Sequence, residues 1–488
     1  MKCNQTDEAM PTRTTPRAGA LGNTRHNMRD MAENKIITRV LTRMEQLDAS
    51  LWNDLLAQQP APTPFMRHEY LSALSESRSA VPKTGWLARI ITISDGDELL
   101  AACPVYVKNH SYGEYVFDWA WARAYEEHGL PYYPKGVLAV PFTPVPGTRL
   151  LARTQALREA LVQAVRAWAS EMQLSSLHML FTDPADLAAC QADGWMTRST
   201  VQFHWSNRGV ATSGDTHNAP QPPGEDVEKP LSGYRDFDDF LSSMTQEKRK
   251  KIRQERRKVR EAGVQFRALH GTQIQPEDWA FFYRCYERTY LEHGNAPYLT
   301  PAFFTVMARD MPQSWLMFIA ERDGIPIASS LIAVSTSPSS KNNDNNLETG
   351  ENQVQTATET IVAPEGTAYG RYWGALERVD CLHFEACYYQ PIEWCIAQGF
   401  AHFEGGAQGE HKMARALLPV VTPSAHWVAH PAFSDAIQRF LDREGQGMQA
   451  YVQELQSHSP LRASDRTGEL TGERLDKHAA NAIKQAKV

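Results

Sequence analysis

The chain has 488 residues, a net charge of -7 and an ordinary apolar content, so it exceeds what one hydrophobic core organises and predicts two or more domains. No run of about 20 apolar residues occurs, which excludes a spanning helix, and the start MKCNQTDEAMPTRTTPRAGA lacks the apolar stretch of a secretory signal. Seven scattered cysteines with no Cys-x-x-Cys pair predict reduced thiols in a cytoplasmic protein, with neither a disulfide framework nor a metal site.

Residues 1–35 are polar and pattern-free, which predicts a disordered leader. A first block, 36–208, then opens with a helix start at PFMRHEYLSAL (64–74). Two apolar strands follow, WLARIITISDG (86–96) and LLAACPVYV (99–107), joined at the hairpin signal Asp95-Gly96. SYGEYVFDWAW (111–121) reads as a third strand, and Leu150, Leu157, Leu161, Val165 and Trp168 recur with helical spacing. LSSLHMLF (174–181) and a strand through FHW (203–205) close the block. Residues 209–232 are rich in Pro, Gly and acid and predict a flexible insertion.

A second block, 233–455, opens with a basic helix expected over 245–262 and then repeats the first. PYLTPAFFTVM (297–307), WLMFIAERDG (315–324), PIASSLIAV (326–334) and AYGRYWGAL (368–376) follow in the same order as their counterparts. A helix marked by Phe384, Tyr388, Ile392 and Cys395, the strand FAHFEGGA (400–407) and AHW (425–427) complete it. A low-complexity insertion, 335–366, falls at a hairpin tip where added length costs little, and 456–488 predicts a mostly disordered tail. Helix, three strands, helix and further strands, used twice, predict mixed sheets with helices packed on them.

NHSYGEYVFDWAW (109–121), VPFTPVPGTRLL (140–151), VQFHWSN (201–207) and FEGGAQGEHKMARALLP (403–419) resemble the motifs of the FemAB-like predicted N-acyltransferases, across nearly all of both blocks. The resemblance implies an α/β (α+β) fold of two tandem GNAT-like domains, each a mixed, mostly antiparallel sheet flanked by helices. It implies transfer of an acyl or aminoacyl group to an amine, with a peptidoglycan precursor among the candidate acceptors. No tightly bound cofactor is expected; acyl-CoA or aminoacyl-tRNA would be the co-substrate. The alternative is a non-catalytic protein of the same fold that recognises RNA or a cell-wall precursor.

N-acyl transfer requires a group that takes the amine proton and donors that stabilise the carbonyl oxyanion. Gly405, Gly406 and Gly409 break a strand end onto which Glu404, Gln408, Glu410, His411 and Lys412 crowd. Glu410 or His411 is placed ahead of Glu404 as the base, and Lys412 with Arg415 is expected to hold phosphate or carboxylate. In a GNAT-like sheet the oxyanion donor would lie near Tyr372-Trp373-Gly374. Glu385 opens the neighbouring helix, in which Pro391 predicts a bend. Gly147, Thr148 and Arg149 read either as a phosphate-binding turn opening a helix or as a capped Pro-Gly turn.

The segment 247–261 carries nine basic residues against three acidic ones on a thin apolar stripe. Lys248, Arg249 and Arg253 on this helix would meet an anionic partner, which the resemblance implies is tRNA or a nucleotide-linked precursor. Docking on the chain's own acidic DFDDF (236–240) is the other outcome.

Overall fold

A computed structural model describes residues 36–207, 233–335, 365–407 and 409–462. The expected leader, both expected insertions apart from their edges, and the tail beyond 462 lie outside the described residues. The first half runs β1 (Ile36–Leu41), α1 (Ala49–Ala57), α2 (His68–Glu76), β2 (Leu87–Asp95), β3 (Glu98–Lys108), α3 (Trp119–Glu127) and β4 (Lys135–Leu138). It continues through β5 (Leu151–Ala152), α4 (Gln155–Glu171), β6 (Ser176–Met179), α5 (Pro184–Ala192) and β7 (Met196–Ser206).

The second half begins with α6 (Phe237–Ser243), α7 (Gln246–Glu261), β8 (Val264–His270), α8 (Pro276–Glu292) and α9 (Pro301–Asp310). Strands β9 (Trp315–Arg322), β10 (Ile325–Val334) and β11 (Thr367–Ala375) follow. A helical segment is built from α10 (Leu382–Phe384), a π-turn (Glu385–Tyr389) and α11 (Gln390–Ala397). The half ends with β12 (His402–Ala407), β13 (Leu418–Val428) and α12 (Pro431–Ser457).

Local chemistry explains many of these boundaries. Asp323 and Gly324 both take positive φ, as a two-residue hairpin between right-twisted strands requires. Thr154 and Thr300 cap α4 and α9 by accepting from the backbone N–H three residues on. Pro391 stands in the first turn of α11, directly after the π-turn, so the expected disturbance takes the form of one wide turn rather than a break.

Among the described residues all strands join one mixed, mostly antiparallel sheet, ordered β1-β2-β3-β4-β6-β13-β7-β12-β11-β10-β9-β8, with β5 beside β3. The order is palindromic in plan. Each half contributes an antiparallel run that ends in one parallel pair, β4 with β6 and β11 with β12. The last strands are exchanged: β13 of the second half lies on β6, and β7 of the first half lies on β12. β13 and β7 then pair with each other along nine registered positions.

Helices cover both faces, giving the α/β class expected. One core joins Trp52, Phe65, Tyr70 and Trp86 of the first half to Trp279, Phe282, Phe304 and Trp315 of the second, so α1, α2, α8 and α9 share a face. The opposite face carries α4 and α5 on the first half, and α6, α7 and the α10–α11 segment on the second. Burying each such Trp or Phe contributes roughly 2–3 kcal/mol before chain entropy is counted. Among the described residues no helix is long and apolar enough to cross a membrane.

Two expectations need correction. The echo of SYGEY and AYGRY does not mark equivalent strands: residues 111–118 form a connection leading into α3, and the counterpart of β11 is β4. Matching strings of five residues carry too little information against tertiary context. Residues 458–462, expected in the tail, instead pack back, with Pro460 O accepting from Thr245 N at the start of α7.

Candidate active site

The second parallel pair opens into a cleft. β11 and β12 are in register only at Thr367–His402, Ala368–Phe403 and Tyr369–Glu404, after which the strands separate. Gly405 lets the chain leave, because a Cβ there would overlap Leu417. On β11, Leu331 faces Tyr372 while Ile332 faces Gly370, so Arg371 is the extra residue of a bulge. A bulge turns two successive side chains toward one face. Arg371 and Tyr372 accordingly both meet the core shared by the halves, the guanidinium 5.4 Å from the Phe65 ring and 5.2 Å from the Tyr372 ring.

Glu404 points to that same face. Its strand neighbours there are Tyr369 on β11 and His204 on β7. Glu404 Oε2 lies 4.0 Å from His204 Nε2 and is buried without a hydrogen bond. Burial raises its carboxyl pKa to about 8, against the opposing pull of Arg371 and Arg149. Burial also lowers His204 to about 3, which keeps that imidazole neutral. His204 Nε2 sits 3.4 Å from Gln202 Oε1, whose amide donates to Pro144 O at 2.9 Å. A carboxyl titrating near 8 suits exchange of a proton with an amine.

Arg371 stands in a box of rings and phenols. Its Nη2 donates to Phe142 O at 2.9 Å, while its buried Nε makes no hydrogen bond. The hydroxyls of Tyr372, Tyr70 and Tyr115 lie around it, and it acts in turn on the Glu404 carboxyl. The buried Tyr372 Oη makes no well-formed hydrogen bond. Tyr286, Tyr290 and Tyr298 extend the ring set, with Tyr298 stacked on Phe142 at 4.8 Å.

The residues singled out from sequence divide sharply. Glu404 and Tyr372 are brought into this cleft. Lys412 Nζ instead donates to the carbonyls of Gly405, Gly406 and Ala407 at 2.6, 3.2 and 3.0 Å, which uses all three of its protons. Arg415 pairs with Glu255 at 2.8 Å and covers the Phe384 ring. Lys412 has no proton left for phosphate or carboxylate, and Arg415, although its Nε is unbonded, already has Glu255 as its counter-charge. Glu385 is buried against Arg256 at 3.0 Å. His411 is exposed, 3.4 Å from Tyr388 Oη, with its pKa lowered by partial burial and by Arg415 and Lys412. Gly409 takes positive φ at the start of that turn. Gln408 lies outside the described residues, as does the side chain of Glu410.

The proposed phosphate turn is closed. The N–H groups of Gly147, Thr148 and Arg149 donate to Phe181 O, Ala61 O and the Asp186 carboxylate, and α4 starts only at Gln155. Arg149 is buried and bonded to the carbonyls of Leu180 and Val145. On α7, Arg253 pairs with Asp238 at 2.9 Å, as DFDDF docking predicts, and Lys248 lies 3.2 Å from Glu247. Arg249, Lys250, Arg253, Arg256, Arg257 and Arg260 nevertheless line a groove of about 1010 Å³.

The first half holds a charge network that sequence reasoning missed. Lys135 Nζ donates to Ser111 Oγ at 2.7 Å and Glu114 Oε2 at 2.8 Å, and also to Asp118. Asp118 accepts from Tyr132 at 2.6 Å, Tyr132 meets His178, and His178 meets His426 of β13 at 2.8 Å. Lys108 lies 3.4 Å above the Trp86 ring, and burial brings it down to about 7. Polar residues spaced between aromatics in SYGEYVFDWAW were the available signal, since Ser111, Glu114 and Asp118 are buried while Tyr112, Phe117 and Trp119 face out.

A duplicated sheet with a closed network at one parallel pair and an open acid–guanidinium cleft at the other defines a two-repeat α/β protein. The model of the FemAB-like family, described as peptidoglycan biosynthesis/recognition, matches residues 43–217, 228–338 and 347–463. This chain belongs to that family. Among curated proteins none matches. Among solved structures, FemX is 10% identical with a TM-score of 0.44, covering 82% of this chain and 100% of its own. L-PGS from Bacillus licheniformis is 10% identical at 0.43, covering 81% and 97%. A tandem GNAT protein from the clavulanic acid biosynthesis pathway is 13% identical at 0.37, covering 81% and 99%.

Proposed function

We propose that this protein is an N-acyl- or aminoacyltransferase whose reaction takes place in the cleft between β11 and β12. The observation that carries the proposal is Glu404: a buried carboxyl with an unpartnered oxygen, raised to about 8, at the point where two parallel strands part. The acceptor amine would give its proton to Glu404 as its nitrogen attacks the acyl carbon. The new C–N bond replaces the bond to the donor's leaving oxygen or sulfur, and that atom takes a proton. The backbone N–H groups at the Arg371–Tyr372 bulge, where the ladder to β10 is interrupted, would serve as the oxyanion donors. No covalent enzyme intermediate is involved.

The family description supports a cell-wall precursor as acceptor. For the donor, the groove along α7 favours a phosphate chain. Its basic lining runs from Arg249 to Arg260, about 16 Å of helix at 1.5 Å per residue. Aminoacyl-tRNA matches that length, and Lys412 already occupies the carbonyls at the tip of β12. The test is transfer from labelled aminoacyl-tRNA and acyl-CoA pools to amine acceptors, with the E404Q variant beside the parent. Undiminished transfer by E404Q would remove Glu404 from the mechanism. Transfer from acyl-CoA alone would reassign the donor.

A further inference from the structure

Buried charges in proteins are ordinarily paired, because an isolated ion loses its hydration without compensation. The first half obeys this rule, with Lys135 flanked by Glu114 and Asp118. Arg371 does not. Among the described residues no carboxylate lies within ion-pair distance of it, its Nε is buried and unbonded, and its surroundings are neutral phenols and rings. Glu404 makes no ion pair with it: Glu404 Oε2 is buried without a partner, and burial raises its carboxyl pKa against the pull of Arg371. Tyr372 Oη, close to the guanidinium and to Tyr70 Oη, adds a second buried polar atom without a well-formed hydrogen bond. Tyr115, Tyr290, Tyr298 and Arg371 itself are only partly buried, so the box opens on one side.

We propose that Arg371 and Tyr372 form the binding site for a carboxylate of the acceptor, so that the acceptor is an amine carrying a free carboxylate, as at the end of an amino acid or peptide. A planar guanidinium with an unbonded N–H matches a planar carboxylate. A single cation among uncharged phenols fits one negative charge better than a phosphate dianion. The rings of Tyr290, Tyr298 and Phe142 would flank the acceptor's chain. The assignment rests on the transferase reading, since it names the substrate of that cleft.

The probes are a panel of dipeptides with free C-termini, the same dipeptides as C-terminal amides, and inorganic phosphate, with binding followed by ligand-observed NMR. The acids are expected to bind about 10- to 100-fold more tightly than their amides, as for a hydrogen-bonded charge. R371Q should abolish that difference, Y372F should reduce it, and R371K should retain part of it while melting like the parent. Equal binding of acids and amides, no binding by either, or displacement of bound acid by phosphate at equal concentration would each overturn the inference. Transfer to amides as fast as to acids would also overturn it while leaving the transferase reading intact. Acid-selective binding that persists in E404Q, with no transfer by the parent from any donor, would support the site and sink that reading instead.

Discussion

The two parallel strand pairs occupy matching places in the sheet but treat buried charge in opposite ways. At β4–β6, Lys135, Glu114 and Asp118 close on one another, and the chain of Tyr132, His178 and His426 extends the network. At β11–β12, Arg371 and Glu404 are left with unbonded atoms facing a partly open box. Both places keep buried atoms without hydrogen bonds, Glu114 Oε1 and Asp118 Oδ1 among them, but at β4–β6 each charge has an opposite charge beside it and at β11–β12 Arg371 has none. The paired network holds structure, and the unpaired cation waits for a ligand. Breaking the first should cost stability, whereas breaking the second should cost function.

The largest effect expected is on chemistry. E404Q should fold and lower kcat by about 100- to 10,000-fold, the usual worth of a general base, in the transfer assay. Next comes Lys135→Met, which leaves Asp118 buried without its cation and Glu114 with only the more distant Lys108. Urea unfolding should show a loss of about 3–5 kcal/mol, whereas R371Q, which removes a cation that lacks a partner, should cost far less. If the two variants are equally destabilised, the contrast between the regions fails.

The pH dependence sharpens the contrast further. Because the folded state raises Glu404 to about 8, this group's contribution to stability is complete below the ordinary carboxyl range and declines as pH rises through 8. Transfer should rise around pH 8, at the upper end of that decline, as the folded base ionises, and E404Q should flatten both profiles. A smaller effect is expected on α7. Replacing Arg249, Lys250, Arg257 and Arg260 by Ala should weaken tRNA binding and reduce its salt dependence by up to four phosphate contacts, leaving the melting temperature nearly unchanged.

Much of this was legible in the sequence where the signal is local. The hairpin at Asp323-Gly324, the periodicity of α4 and the basic run of α7 each declare themselves within a few residues. Glu404 was visible too, because glycines after a strand announce a break in pairing. Arg371 was passed over, although a charged residue amid the apolar neighbours of AYGRYWGAL is unusual; what gives it meaning is a bulge, which depends on β10 opposite. The roles expected for Lys412 and Arg415 changed because their partners, three carbonyls and Glu255, lie in register only after folding. The exchange of β7 and β13 leaves no local trace, since either strand presents the same alternation in either sheet.

That exchange also bears on how a nascent chain acquires its shape. When residue 207 has been made, β6 still has no neighbour on its β13 side, and it gains one only after residue 428. At ordinary rates of synthesis this interval is on the order of 10 s or longer. The first repeat must therefore emerge from the ribosome with an open edge strand, exposed to wrong pairing until β13 arrives unless a chaperone shields it.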